Sequence, residues 1–164
     1  MKEMKDRTHD RGRATPTATT VGDVMTRNPL CISPDTPARE LARILEANEI
    51  SGVPVVDGLD RVIGVVSRTD LLRRVVEGPQ GSRPPSFFEA LAEGLTDEDL
   101  HPDNLGTVEE FMTPEPVTTR PNELLSEVAR RMAEDRVHRV VVVDDEMHVL
   151  GIATSLDILR AFPR

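Results

Sequence analysis

Apolar residues late in the chain gather into two short runs, over residues 140–144 and 149–154, with the polar stretch 145–148 between them. Apolar runs of this length, rich in β-branched residues and bounded by turn chemistry, predict a pair of strands. An earlier stretch repeats the pattern, with predicted strands at 53–57 and 62–67 around the turn 58–61. Sliding the chain against itself by 87 positions (157 − 70 = 87) lays Asp70 on Asp157, Gly64 on Gly151, Asp57 on Asp144 and Val53 on Val140 without a gap. The register extends back through Arg43 on Arg130, Ala42 on Ala129, Pro34 on Pro121, Pro29 on Pro116 and Met25-Thr26 on Met112-Thr113. The chain is therefore a duplicated unit. Two such units cover each other's apolar faces and should pack as one pseudo-symmetric body.

Helical periodicity fills the gaps between the strands. Thr36, with Pro37 expected at the first helical position, opens a helix whose stripe Ala38, Leu41, Ala42, Leu45 has the i, i+3, i+4, i+7 spacing. Leu125, Val128, Ala129 and Met132 repeat it in register. Thr20 and Thr107, each with an acid three residues later, mark short helical turns that Pro29 and Pro116 stop. Residues 30–32 and 117–119 read as short strands, and 70–76 and 157–162 as closing helices. Each copy is thus strand, helix, strand, strand, helix after a short helical turn, a mixed α/β fold of the α+β kind.

Four segments follow: a polar tail over 1–19 expected to be disordered, repeat 1 over 20–77, an insertion over 78–106, and repeat 2 over 107–162. Residues 77–107 carry seven acids and one Arg. The expectation there is a partly helical excursion with a solvated acidic face, a partner-docking surface being the sharper alternative.

Composition narrows the function. With 164 residues the chain can bury roughly 70% of its unfolded surface. A net charge of −9 and the absence of Trp and Tyr argue against nucleic acid, which is bound through Lys and Arg and aromatic stacking. Cys31 is alone, and the apolar runs are far too short to span a membrane. A cytoplasmic protein, bound to no membrane, is expected.

The candidate chemistry lies where a strand meets a helix. Gly64-Val-Val-Ser67-Arg-Thr-Asp70 and Gly151-Ile-Ala-Thr154-Ser-Leu-Asp157 aim a hydroxyl, a carboxylate and helix N-terminal amides at one spot. Such amides favour phosphate, and a carboxylate accepts the hydrogens of a ribose diol. The same acids would serve equally well as helix caps, worth about 1 kcal/mol each. His138-Arg139 forms a basic pair ahead of the strand at 140, where the first copy has Ser51-Gly52. No catalytic constellation assembles, and the four histidines show no metal spacing with one another or with Cys31. Neither catalysis nor a metal is expected.

At VGDVMTRNP and VEEFMTPEP, and at ISGVPVVDGLDRVIGVVSRTDLL and VHRVVVVDDEMHVLGIATSLDIL, the sequence resembles a tandem pair of CBS (cystathionine-β-synthase) domains, the Bateman module. The resemblance implies βαββα repeats about a pseudo-twofold axis, with clefts between them for AMP, ADP, ATP or S-adenosylmethionine. It would make Asp70 and Asp157 the ribose acids, with Ser67 and Thr154 beside ribose or phosphate. The segment around His138 and Arg139 also resembles part of the γ subunit of AMP-activated protein kinase, which implies that this pair faces phosphates and serves the second-copy site. Ile32, Val53, Thr119 and Val140 become candidate adenine walls. The expected function is a non-catalytic sensor of adenosine nucleotides, paired as a homodimer and acting on an effector protein. The alternative is a structural homodimerisation or partner-docking module without ligand.

Overall fold

The computed structural model describes residues 19–77 and 105–161. The expectations for the tail up to residue 18 and for residues 78–104 lie outside the described residues. The elements run α1 (Val21–Val24), β1 (Thr26–Arg27), α2 (Ala38–Ala47), β2 (Gly52–Val56), β3 (Val62–Ser67) and α3 (Arg68–Glu77). A 3-10 turn (Val108–Glu110) then leads to β4 (Thr113–Pro114), β5 (Thr118–Thr119), α4 (Leu125–Glu134), β6 (Arg139–Val143), β7 (Val149–Thr154) and α5 (Ser155–Ala161).

The predicted stripes form the core. Ala38, Leu41 and Leu45 of α2 are buried, as are Leu125, Val128 and Met132 of α4. Each helix lies on its own antiparallel strand pair, β2 with β3 and β6 with β7. The pairing Val53↔Val66 recurs as Val140↔Ala153, and both pairs carry an irregularity one residue before the turn.

What the periodicity could not show is that the repeats exchange their first segments. Thr26 and Arg27 pair with Ile152 and Gly151 of repeat 2, and Thr113 and Pro114 pair with Val65 and Gly64 of repeat 1. The sheets are therefore β1-β7-β6-β5 and β2-β3-β4. Val21 joins the core of Leu125, Val128, Val140 and Ile158, while Val108 joins that of Ile32, Leu41, Val53 and Val66. The helix starts are exchanged as well. The Leu125 amide donates to the Thr19 carbonyl (2.9 Å), and the Ala38 amide to the Gly106 carbonyl (3.0 Å), which satisfies donors that a helix N-terminus otherwise leaves open. Thr19, assigned above to the tail, is thus tied into the fold. Met25 and Met112 complete the exchange. Their sulfurs lie where a Cβ on Gly151 or Gly64 would come within 2.5 Å, so both glycines keep room for the incoming methionine.

Two expectations need correction. Pro37 is the N-cap of α2 and Ala38 its first helical residue, because the backbone of Pro37 is extended (ψ 143°) rather than helical; the Ala38 amide donates to Gly106, just ahead of repeat 2. The expected strand at 30–32 contracts to a single bridge, Ile32↔Val55. In repeat 2 the Val141 amide donates to the Val117 carbonyl (3.1 Å) and extends the ladder. Its counterpart in repeat 1 is Pro54, which has no N–H to give.

The sheets meet around Val62, Val141 and Val143, beside a bridge between Arg61 and His148. Residues at counterpart positions therefore face one another along this seam.

Candidate functional site

Ser67 and Thr154 end their strands and cap the helices that follow. Asp70 Oδ2 accepts the Ser67 amide at 2.8 Å and the Ser67 hydroxyl at 2.6 Å, while the Asp70 amide points back to Ser67 Oγ at 3.4 Å. Asp157 Oδ2 does the same with Thr154, at 2.8 and 2.7 Å, with a return contact of 3.3 Å. These are capping boxes, so the hydroxyl residue caps and the acid is the third helical residue rather than the cap itself. Each hydroxyl has given its single proton to the acid and can offer a ligand only a lone pair. Each acid has one oxygen fixed by the fold. The second oxygen of Asp70 lies 3.7 Å from Arg73 Nη1. For Asp157 every hydrogen bond among the described residues uses Oδ2, leaving Oδ1 as an acceptor for O–H groups.

Arg139 starts β6 opposite Thr154, yet its guanidinium reaches across to repeat 1. Its Nη2 donates to Ser51 Oγ at 3.4 Å, and its Nη1 occupies the space that a Cβ on Gly52 would need. Burial pushes its pKa down, and the charge of Asp70 works in the opposite direction. The guanidinium thus lies against repeat 1, over the residue that pairs with Ser67, whereas the expectation grouped Arg139 with Asp157.

His138 is not brought to the same place. It lines a groove of about 440 Å³ between α4 and α5, with Met132, Val137, Ser155 and Leu159. Alternation along an extended chain separates neighbouring side chains in this way. The wall candidates Ile32, Val53, Thr119 and Val140 are all buried within the repeats; the Thr119 hydroxyl donates to the Arg120 carbonyl at 3.5 Å.

Ser51 and Gly52, noted in the sequence as the counterparts of His138 and Arg139, are the residues that the Arg139 guanidinium meets. Small residues carry no chemical signature, so their alignment with the basic pair was the one signal that could mark them.

The turn after β6 gathers ligand atoms of Asp144, Glu146 and His148 within 4.8 Å of one another. A search limited to His and Cys spacing passes over this group. Asp144 accepts the amides of Glu146 and His148 and contacts His148 Nδ1 at 3.1 Å. Asp57 clamps Leu59 and Arg61 identically in repeat 1, with Arg in place of His. The clamp is a turn-forming device in both repeats, which accounts for the cluster without an ion.

No described helix is long and apolar enough to cross a membrane. A family model described as CBS domain matches residues 21–77 and 108–164. Among curated relatives, the chloroplastic CBS domain-containing protein CBSX2 of Arabidopsis thaliana is 30% identical over 87% of this chain and 63% of its own length. L-aspartate semialdehyde sulfurtransferase of Methanocaldococcus jannaschii is 29% identical over 88% of the chain, which spans only 23% of that enzyme. The solved structure of CBSX2 in complex with AMP matches with a TM-score of 0.66 and 29% identity, covering 87% of this chain and 94% of that one. The CBS domain pair of MJ0100, in complex with 5′-methylthioadenosine and S-adenosyl-L-methionine, matches with a TM-score of 0.66 and 28% identity over 88% and 95% of the two chains.

Proposed function

The chain belongs to the CBS domain family, and from that premise we propose that it is a non-catalytic regulatory module that binds adenosine ligands in two clefts and reports their occupancy to an effector protein. The observation that carries this reading is the pair of acids. Asp70 and Asp157 stand at counterpart positions, each with Oδ2 fixed by a capping box; in this reading Oδ1 accepts a ribose hydroxyl, competing at Asp70 with the Arg73 guanidinium 3.7 Å away. The AMP held by CBSX2 and the two adenosine compounds held by MJ0100 support this ligand class. Occupancy would act by shifting the relative orientation of the repeats, to the extent that the ligand binds one arrangement better than the other.

Homodimerisation through the helices belongs to the same reading. Leu72 and Leu159 stand at counterpart positions on α3 and α5, 53% and 68% exposed. Grooves between α2 and α3 and between α4 and α5 flank them.

The capping boxes also favour a second reading, a structural dimer in which the acids serve the fold alone. Thermal unfolding with AMP, ADP, ATP, S-adenosylmethionine and GTP separates the two. At a hundred times its dissociation constant a ligand adds about 2.7 kcal/mol, a rise of roughly 5–10 °C for a chain of this size. A rise with an adenosine ligand and none with GTP supports sensing. No rise with any of them, after copurified nucleotide has been removed, leaves the structural dimer.

A further inference from the structure

Resting on the nucleotide reading above, we propose that the two clefts take adenosine ligands of different charge: the Asp70 cleft binds a 5′-phosphorylated adenosine through the Arg139 guanidinium, and the Asp157 cleft binds an adenosine without phosphate.

Arg139 is half-buried, and its hydrogen bond among the described residues is the 3.4 Å contact with the neutral Ser51 hydroxyl. A guanidinium carries five N–H donors in a planar fork suited to two phosphate oxygens. This one is partly desolvated while most of that capacity is unused. The guanidinium lies over Gly52, which pairs across the ladder with Ser67, and the Ser67 hydroxyl is bound to Asp70 at 2.6 Å, so the cation stands on the side of the ribose-type acid of repeat 1.

The other cleft cannot be built in the same way. The counterpart of Arg139 is Gly52, where any side chain would collide with the Arg139 guanidinium and come within 2.8 Å of the Val66 carbonyl. Two arginines at these facing positions would overlap, so only one cleft receives the cation. A second difference points the same way. Arg68, the first residue of α3, has Ser155 as its counterpart, and the Ser155 hydroxyl donates to the His138 carbonyl at 3.3 Å. The Asp157 turn therefore has a neutral residue where the Asp70 turn has a cation. Arg68 Nη2 is turned to the Leu45 carbonyl of α2 at 3.2 Å, whereas Arg139 reaches Ser51 beside Gly52, the ladder partner of Ser67; the phosphate contact is therefore assigned to Arg139.

Titration calorimetry of the full chain with AMP and with adenosine tests the assignment. One AMP per chain is expected, its binding lost in Asp70→Asn and kept in Asp157→Asn. Arg139→Gln should weaken AMP by about 10- to 100-fold, the span of a charge-assisted contact, and leave adenosine at the Asp157 cleft unchanged. On the unaltered protein, AMP affinity should fall as salt is raised from about 50 to about 500 mM, while adenosine affinity holds; this needs no variant to fold. Two AMP per chain, AMP binding that depends on Asp157, or equal salt responses would overturn the charge assignment and leave the nucleotide reading standing. If neither probe binds, the charge assignment falls, while the nucleotide reading falls only if ADP, ATP and S-adenosylmethionine also leave the melting midpoint unchanged.

Discussion

Arg139 lies over Gly52, its counterpart in the first repeat, with a guanidinium nitrogen in the space that a Cβ there would fill. A duplicated chain brings equal positions face to face at its pseudo-symmetry axis. A bulky residue can occupy one of two facing positions only if the other gives way. Gly52 is the residue that gives way, and through it the two halves have become chemically different.

Gly52→Ala should therefore displace the guanidinium and press on the Val66 carbonyl, which lies within 2.8 Å of the new Cβ. Overpacking of this kind costs about 1–3 kcal/mol, a fall in the melting midpoint of roughly 3–10 °C. Calorimetric melting checks it, and a midpoint equal to that of the parent would contradict the close approach.

Asp70→Ala and Asp157→Ala should each lose a capping-box acceptor, with a cost of about 1 kcal/mol and a midpoint fall of roughly 2–4 °C. In addition, each should lose ligand at its own cleft only. Stability read alongside nucleotide titration separates the two roles, since a purely structural acid would change the first and leave no binding to lose.

Val21→Ala should weaken repeat 2 although Val21 lies at the start of repeat 1. Its side chain is fully buried against Leu125, Val128 and Val140, and truncation there costs roughly 1–3 kcal/mol. Native-state hydrogen exchange should show the amides of β6 losing protection before those of β2. Loss confined to β2 would mean that the exchanged segments do not form.

The Glu123 carboxylate is opposed by burial, but the Arg120 amide, the Thr119 hydroxyl and the Arg131 guanidinium outweigh it and hold its pKa below the usual Glu value. Its contribution to stability is thus fully present above the unfolded value, near 4.5, and disappears as pH falls through the lower folded value. Melting midpoints from about pH 6 to about pH 3 should drop less steeply on the acid side in Glu123→Gln than in the parent. Parallel curves would show that the three partners do not stabilise the charged form.

Much of this protein was legible in the chain itself. The offset that aligns Asp70 with Asp157 exposed the duplication, and the stripes of α2 and α4 identified the buried faces, because apolar spacing is fixed by local helix and strand geometry. Ser67 and Asp70, like Thr154 and Asp157, could be paired from sequence since a capping box spans three residues. Local pattern does not say whose strand a segment joins. Thr26 and Arg27 look like the end of a helical turn, yet they complete the sheet of repeat 2, pairing with Ile152 and Gly151, where the glycine leaves room for the Met25 side chain. Nor does it say which cleft a long side chain enters. Arg139 adjoins Thr154 in the strand register but reaches Ser51, since only there does a glycine leave room for it. Sequence fixed the units and their chemistry, while tertiary packing decided how the units exchange and which site holds the charge.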